Sequence, residues 1–135
     1  MLKIVLGVIA GFVAWSIIWV GSDQVLVMAS SGWYGAHQDA AYLALVNGEP
    51  FNADNTIMLI RLAVSIIATL MSGFLAAFIA GENKLAPLIL GILLLLVGIA
   101  VQASAWNVMP VWFHAIFLVL LLPLSVMGGK LKHTA

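Results

Sequence analysis

The stretch APLILGILLLLVGIAVQASAW, residues 86–106, is 21 residues long and carries no charged side chain. As a helix it crosses about 30 Å of hydrocarbon, and nothing in it has to be left in water. Three further stretches read the same way: Leu2 to Val20, Ile57 to Ala80 and Val111 to Met127. The first holds no charge after Lys3, the second holds only Arg61, and the last holds none. The whole chain agrees with them. Of its 135 residues 64% are hydrophobic and 7% charged, where a soluble domain carries about a quarter charged.

The expected fold is therefore an all-α integral membrane protein, a single domain over 1–135 with four transmembrane helices. The links Gly81 to Leu85 and Asn107 to Pro110 are too short for anything but antiparallel neighbours, so the helices form an antiparallel bundle. A long polar segment, Gly21 to Thr56, joins the first two spans. Lys3 ahead of an apolar run and Val27-Met28-Ala29 also suit a secretory signal. The run is longer than a signal core, however, and carries Trp15, Trp19 and Gly7-x-x-x-Gly11, so it reads as a retained helix.

Charge narrows the function. Five acidic and five basic residues cancel, which leaves none of the basic excess that a nucleic-acid partner needs. The absence of cysteine excludes disulfides, iron–sulfur clusters and a thiol nucleophile, and no cofactor is expected. With four spans, Lys3, Lys84, Lys130 and Lys132 share one side, while the long segment carries Asp23, Asp39, Glu49 and Asp54 and no Lys or Arg. The bias sets both termini in the cytoplasm.

Lipid supplies no hydrophobic drive for helices to associate, so small residues that let backbones approach must supply the contacts. Gly7, Gly11, Ala14, Gly21 and Ser22 form one stripe, Ser65, Ala68, Ser72 and Ala76 a second, and Gly91 with Gly98 a third. The last helix has Leu118, Leu120, Leu121 and Leu122 before Pro123, which should bend it. It is expected to show the most surface to lipid.

Polar side chains at membrane depth are costly and therefore informative. Counting 1.5 Å per residue sets Asp23, Gln24, Arg61, Gln102, Asn107 and His114 in one layer near the outer face, with Asp54 about two turns above Arg61. Two readings stand. The groups satisfy one another, with Arg61 paired to Asp23 or Asp54, or they line a shallow outward pocket in which Arg61 holds a polar or anionic head group and Gln102 and His114 orient it.

In the long segment, Trp33, Tyr34 and Tyr42 suit the membrane interface. Ala40, Leu43, Ala44 and Val46 support a short interfacial helix between Ala36 and Val46, ended by Asn47-Gly48 and Pro50, and Asp54 or Asn55 can cap the next span. His37-x-Asp39 with His114 has no fixed metal geometry, so no metal is expected.

Arg61-Leu62, Ser72-Gly73 and above all Trp106-x-x-x-Pro110-x-Trp112-x-His114, followed by Phe117-Leu118, Pro123 and Gly128, carry a resemblance. Over about the last 80 residues, the chain resembles a loose group of uncharacterised small bacterial four-helix inner-membrane proteins, and the resemblance implies that location without implying an activity. Small multidrug exporters fit poorly, because the first helix has Ser16 but no acid before Asp23. Small fluoride channels fit poorly as well, because Arg61 is the only arginine.

The leading expectation is a non-enzymatic accessory or assembly subunit, or a binding module, whose partners are the bilayer and a second copy or a larger membrane protein. The alternative is a minimal transporter or a lipid-head-group site on the outer polar layer. An enzyme using Ser22, Asp23 and His114 ranks third.

Overall fold

The computed structural model describes residues 2–49, 51, 53–82, 84–104, 106 and 110–131. Among these there is no strand. The elements are α1 (Leu2–Ala29), a π-helical turn (Ser31–Gly35), α2 (Ala36–Asn47), α3 (Asn55–Ala80), α4 (Leu85–Ser104) and α5 (Val111–Lys130). The helices α1, α3, α4 and α5 are each long and apolar enough to cross a membrane.

α1 runs nine residues beyond the expected end at Val20. Gly21, Ser22, Asp23 and Gln24 read locally as an exit into water, but Val25 to Met28 resume an apolar run and the helix continues. The π turn then reverses the chain. Gly35 N–H reaches back to Ser30 C=O at 2.9 Å, an i to i+5 bond. α2 follows at once, and Gly48 ends it in the left-handed conformation at φ 68°, which glycine adopts without a Cβ penalty. α2 buries only Ala44 and leaves Tyr42, Leu43 and Val46 exposed.

α3 is the central helix. It packs along α1 on one side and α5 on the other, and α4 closes against α5. Ser65, Ala68, Ser72 and Ala76 are all buried. A Cβ on Gly11 would stand 2.9 Å from the Ser72 carbonyl oxygen, and one on Gly7 would press on the Ala76 carbonyl. The closest approaches lie on the other side. A Cβ on Gly73 would fall on the Ser125 carbonyl, and one on Gly128 would fall on the Leu70 carbonyl. Gly91 and Gly98 make room for Leu122 and Leu121 of α5. Gly21 has nothing within 4 Å, so the stripe on α1 works only in its first half.

Two hydrogen bonds tie helices together in the apolar zone. Trp15 Nε1–H donates to Thr69 Oγ1 at 3.1 Å, while Thr69 donates to Ser65 C=O at 2.7 Å. Ser125 donates to Pro87 C=O at 2.7 Å. Buried hydroxyls in hydrocarbon need such partners, because an unmet one costs about 1–3 kcal/mol. At the opposite end from α2, the tight turn at Gly81 (φ 73°) leads into α4, where Glu82 accepts from the N–H groups of Lys84, Leu85 and Ala86 at 2.9, 2.8 and 2.6 Å. Burial alone would raise the Glu82 carboxyl, but these donors together hold it below its ordinary value.

The expectation that the last helix faces lipid most is corrected. In α1, 22% of the most apolar 18 residues are buried, against 39% in each of the other three, so α1 is the most exposed. Small residues missing from the middle of α5 stand toward its C-terminal end instead: Ser125, Gly128 and Gly129 are buried there against α3 and α4. The helix continues through Pro123.

Gly128→Ala or Gly73→Ala should lower the melting temperature of the purified protein, by the ~1–3 kcal/mol typical of overpacking, since the obstructing atoms are backbone. Gly21→Ala should leave it unchanged or raised. Thermal melts of the three variants in one detergent check the contrast.

Candidate functional site

The polar residues divide into two groups with Arg61 between them. The first lies where the π turn and α2 fold back over α1. Asp54 N–H, a fixed backbone donor, donates to His37 Nε2 at 3.0 Å. That nitrogen is therefore the acceptor, and His37 Nδ1–H donates to Gln38 Oε1 at 2.9 Å. Gln38 Nε2–H in turn donates to Asp23 Oδ1 at 2.9 Å, and the Tyr34 hydroxyl donates to the same oxygen at 2.6 Å. The chain begins on a backbone donor and ends on a carboxylate, so each proton along it has one consistent position, with His37 neutral. Tyr34 is 1% exposed. Burial, with the Asp23 hydrogen bond second, pushes its hydroxyl well above the ordinary tyrosine range and keeps it a donor.

Asp54 caps α3, accepting from Thr56 N–H at 2.8 Å and Ile57 N–H at 3.3 Å. The Ile57 N–H bond is the chief reason its carboxyl lies below the ordinary range; desolvation opposes it, and the Thr56 N–H adds to it.

The second group joins α4 and α5. Gln102 and His114 are each 2% exposed, and Gln102 Oε1 shares a hydrogen bond with His114 Nδ1. The His114 ring stacks on Trp106 at 4.3 Å between centroids and 5° between planes, with Nε2 3.3 Å from the Trp106 carbonyl oxygen. Asn107 lies outside the described residues. Sequence depth set these groups beside Asp23, but depth does not specify which way a side chain turns about its helix axis, and the two groups bind separate partners.

Arg61 makes neither of the ion pairs expected of it. Among the described residues no carboxylate is bridged to it; Asp23 accepts from Tyr34 and Gln38 through Oδ1, and Asp54 serves the helix cap. Its guanidinium carbon instead stands 4.8 Å over the Trp19 ring, and Trp19 stacks on Trp15 at 5.7 Å. Such a cation–π contact contributes about 0.5–2 kcal/mol, the more so where water is scarce.

Three cavities share Arg61 as a wall. A cleft of about 380 Å³ opens between α1, α2 and α3, lined by Asp23, Gln24, Val27, His37, Gln38, Asp39, Ala41, Tyr42, Leu45, Met58 and Arg61. A void of about 10 Å³ lies beneath it among Trp19, Ser22, Asp23, Leu26, Tyr34, Arg61 and Val64. On the far side a more enclosed chamber of about 80 Å³ touches Trp15, Trp19, Arg61, Gly98, Gln102 and Phe117. An apolar groove of about 530 Å³ follows the α1–α3 seam past Ile17, Ile18, Gly21, Val25 and Ile60, and shares Ser22, Leu26 and Val64 with the small void.

Sequence reasoning missed Tyr34 and Gln38 as partners of Asp23. Their only signal was an aromatic and an amide placed where a fold-back of the long segment could reach α1. His37, considered only as a metal ligand, is a link in the same chain, and among the described residues no group of three metal-ligating side chains gathers. Nor do Ser22, Asp23 and His114 assemble, because Asp23 and His114 are bound into different groups.

The fold and site define a four-helix protein of membrane-spanning character with an arginine-walled cleft at one end. No family model, curated protein or solved structure matches the chain.

The cap predicts a pH response. With the Asp54 carboxyl lowered, its contribution to stability is complete above the ordinary carboxylate range and is lost as pH falls through the lowered value. Asp54→Asn, which keeps a capping oxygen, should remove this part of the acid response, and Asp54→Ala should destabilise at every pH. Melting curves between pH 3 and 7 measure both.

Proposed function

We propose that the chain is a small multi-pass membrane protein that serves as a binding module and takes the polar head of an amphiphile into the cleft between α1, α2 and α3. The observation that carries this reading is Arg61, whose guanidinium walls the cleft without a bridged carboxylate among the described residues. An ionisable side chain inside a span is expensive and marks a site by default. Arg61 is suited to a phosphate or carboxylate, which its planar donors bind in pairs. The cleft volume falls within the range of small-molecule sites. The apolar part of the cleft's own lining, Val27, Ala41, Leu45 and Met58, argues for a ligand with a chain attached, rather than a free solute.

In this reading the α2 end is the outer face, both termini are cytoplasmic, and the membrane is the bacterial inner membrane, as the lysine bias and the resemblance of the last 80 residues imply. α2 lies at the interface, with Tyr42, Leu43 and Val46 toward the acyl boundary. The accessory-subunit reading draws on a different feature, the exposed length of α1, along which a partner helix could lie.

Arg61→Gln decides between them. The variant should melt within about 2 kcal/mol of wild type, since it loses one half-buried cation–π contact, while the phospholipid that copurifies with wild type is lost. A variant that keeps the same lipid overturns the binding module. Stoichiometric copurification of another membrane protein, unaffected by Arg61, would favour the subunit.

A further inference from the structure

The geometry points to a zwitterionic head group, an amine joined to a phosphate, as the occupant of the cleft; this rests on the binding-module reading and specifies its ligand. The argument is charge balance at fixed positions. One cation, Arg61, and two carboxylates, Asp23 and Asp39, line the same cleft. His37 adds no charge while its Nε2 accepts from the Asp54 backbone. Two negative charges against one positive leave the lining one negative charge in excess.

A purely anionic head group would satisfy Arg61 but enter against that excess, and a simple cation would leave Arg61 unanswered. A zwitterion supplies both signs. Its phosphate takes the guanidinium, and its ammonium takes the carboxylates. Asp23 is prepared for this role, since Tyr34 and Gln38 both donate to Oδ1 and none of these bonds uses Oδ2. Asp39 stands exposed in the first turn of α2, on the opposite wall from α3. An amine that keeps its N–H groups can donate to both acids, which a quaternary ammonium cannot.

The test uses the purified full chain in delipidated detergent, titrated with phosphatidylethanolamine, phosphatidylcholine and phosphatidylglycerol of identical acyl chains, and with soluble glycerophosphoethanolamine as a chain-free arm. Binding is read by native mass spectrometry and by the rise in melting temperature. Wild type should prefer the ethanolamine lipid over the glycerol lipid by about fivefold, the scale of one exposed ion pair. Asp39→Asn should remove the preference without changing the melting temperature in lipid-free detergent, and Asp39→Glu should restore it. A role of Asp39 in helix stability alone would move the melting temperature and leave the preference intact, which overturns the proposal.

Equal or tighter binding of the glycerol lipid, still dependent on Arg61, overturns the zwitterion and leaves the binding module standing. Binding of no phospholipid by wild type overturns both. If soluble glycerophosphoethanolamine competes as well as the lipid, the zwitterion stands but its source is a free solute.

Discussion

Between apolar helices in a bilayer, water contributes almost nothing to association, so each contact must be built from close packing or from hydrogen bonds that lipid cannot offer. Here that requirement falls on α3, which has to be approached to backbone distance from two sides at once. Gly7 and Gly11 bring α1 against the Ala76 and Ser72 carbonyls, and Gly73 and Gly128 bring α5 against α3 on the other side. The Trp15–Thr69 bond forms only because the first of these approaches is so close, and the Ser125–Pro87 bond depends similarly on the packing of α5 against α4.

A slender central helix has a consequence for its one charge. Arg61 stands about 1.7 turns into α3, one turn before the small-residue stripe that opens at Ser65. There it meets Trp19 from α1 and forms a wall shared by the cleft on one side and the chamber near Gln102 on the other. The guanidinium is thus supported by aromatic packing while its donors remain open to the cleft. Asp23, which could have neutralised it, is held by Tyr34 and Gln38. The fold spends its carboxylate on anchoring the π turn and α2.

Much of this architecture was legible in the chain. Apolar runs of the right length, one of them interrupted only by Arg61, marked the last three spans to within a few residues, because in hydrocarbon length and polarity alone decide what crosses. The end of α1 was not legible. Gly21-Ser22-Asp23-Gln24 is a plausible exit when nothing is known to return to it, and the partners that let the helix continue come from 11 and 15 positions further on. The polar layer was half legible for a related reason: residue counting yields depth, so Gln102 and His114 were set at the level of Asp23, but azimuth depends on packing. Gly128 and Gly129 were not legible as packing residues because they lie just past the apolar run that ends at Met127, whereas the tightest contacts of α5 with α3 and α4 fall there.

The unequal lengths of the helices also make the molecule a gauge of its surroundings. α1, at 28 residues, reaches about 42 Å, while α4 and α5, at 20 residues, reach about 30 Å. Asp23 lies about 32 Å along α1 from Leu2, a distance close to the thickness of an average hydrocarbon slab. With the four long helices inserted, a thinner bilayer would leave the cleft clear in water, and a thicker one would draw the Asp23 carboxylate toward acyl chains or force the helix upright. Such mismatch costs fractions of a kcal/mol per ångström, enough to bias a small protein toward membranes of one thickness.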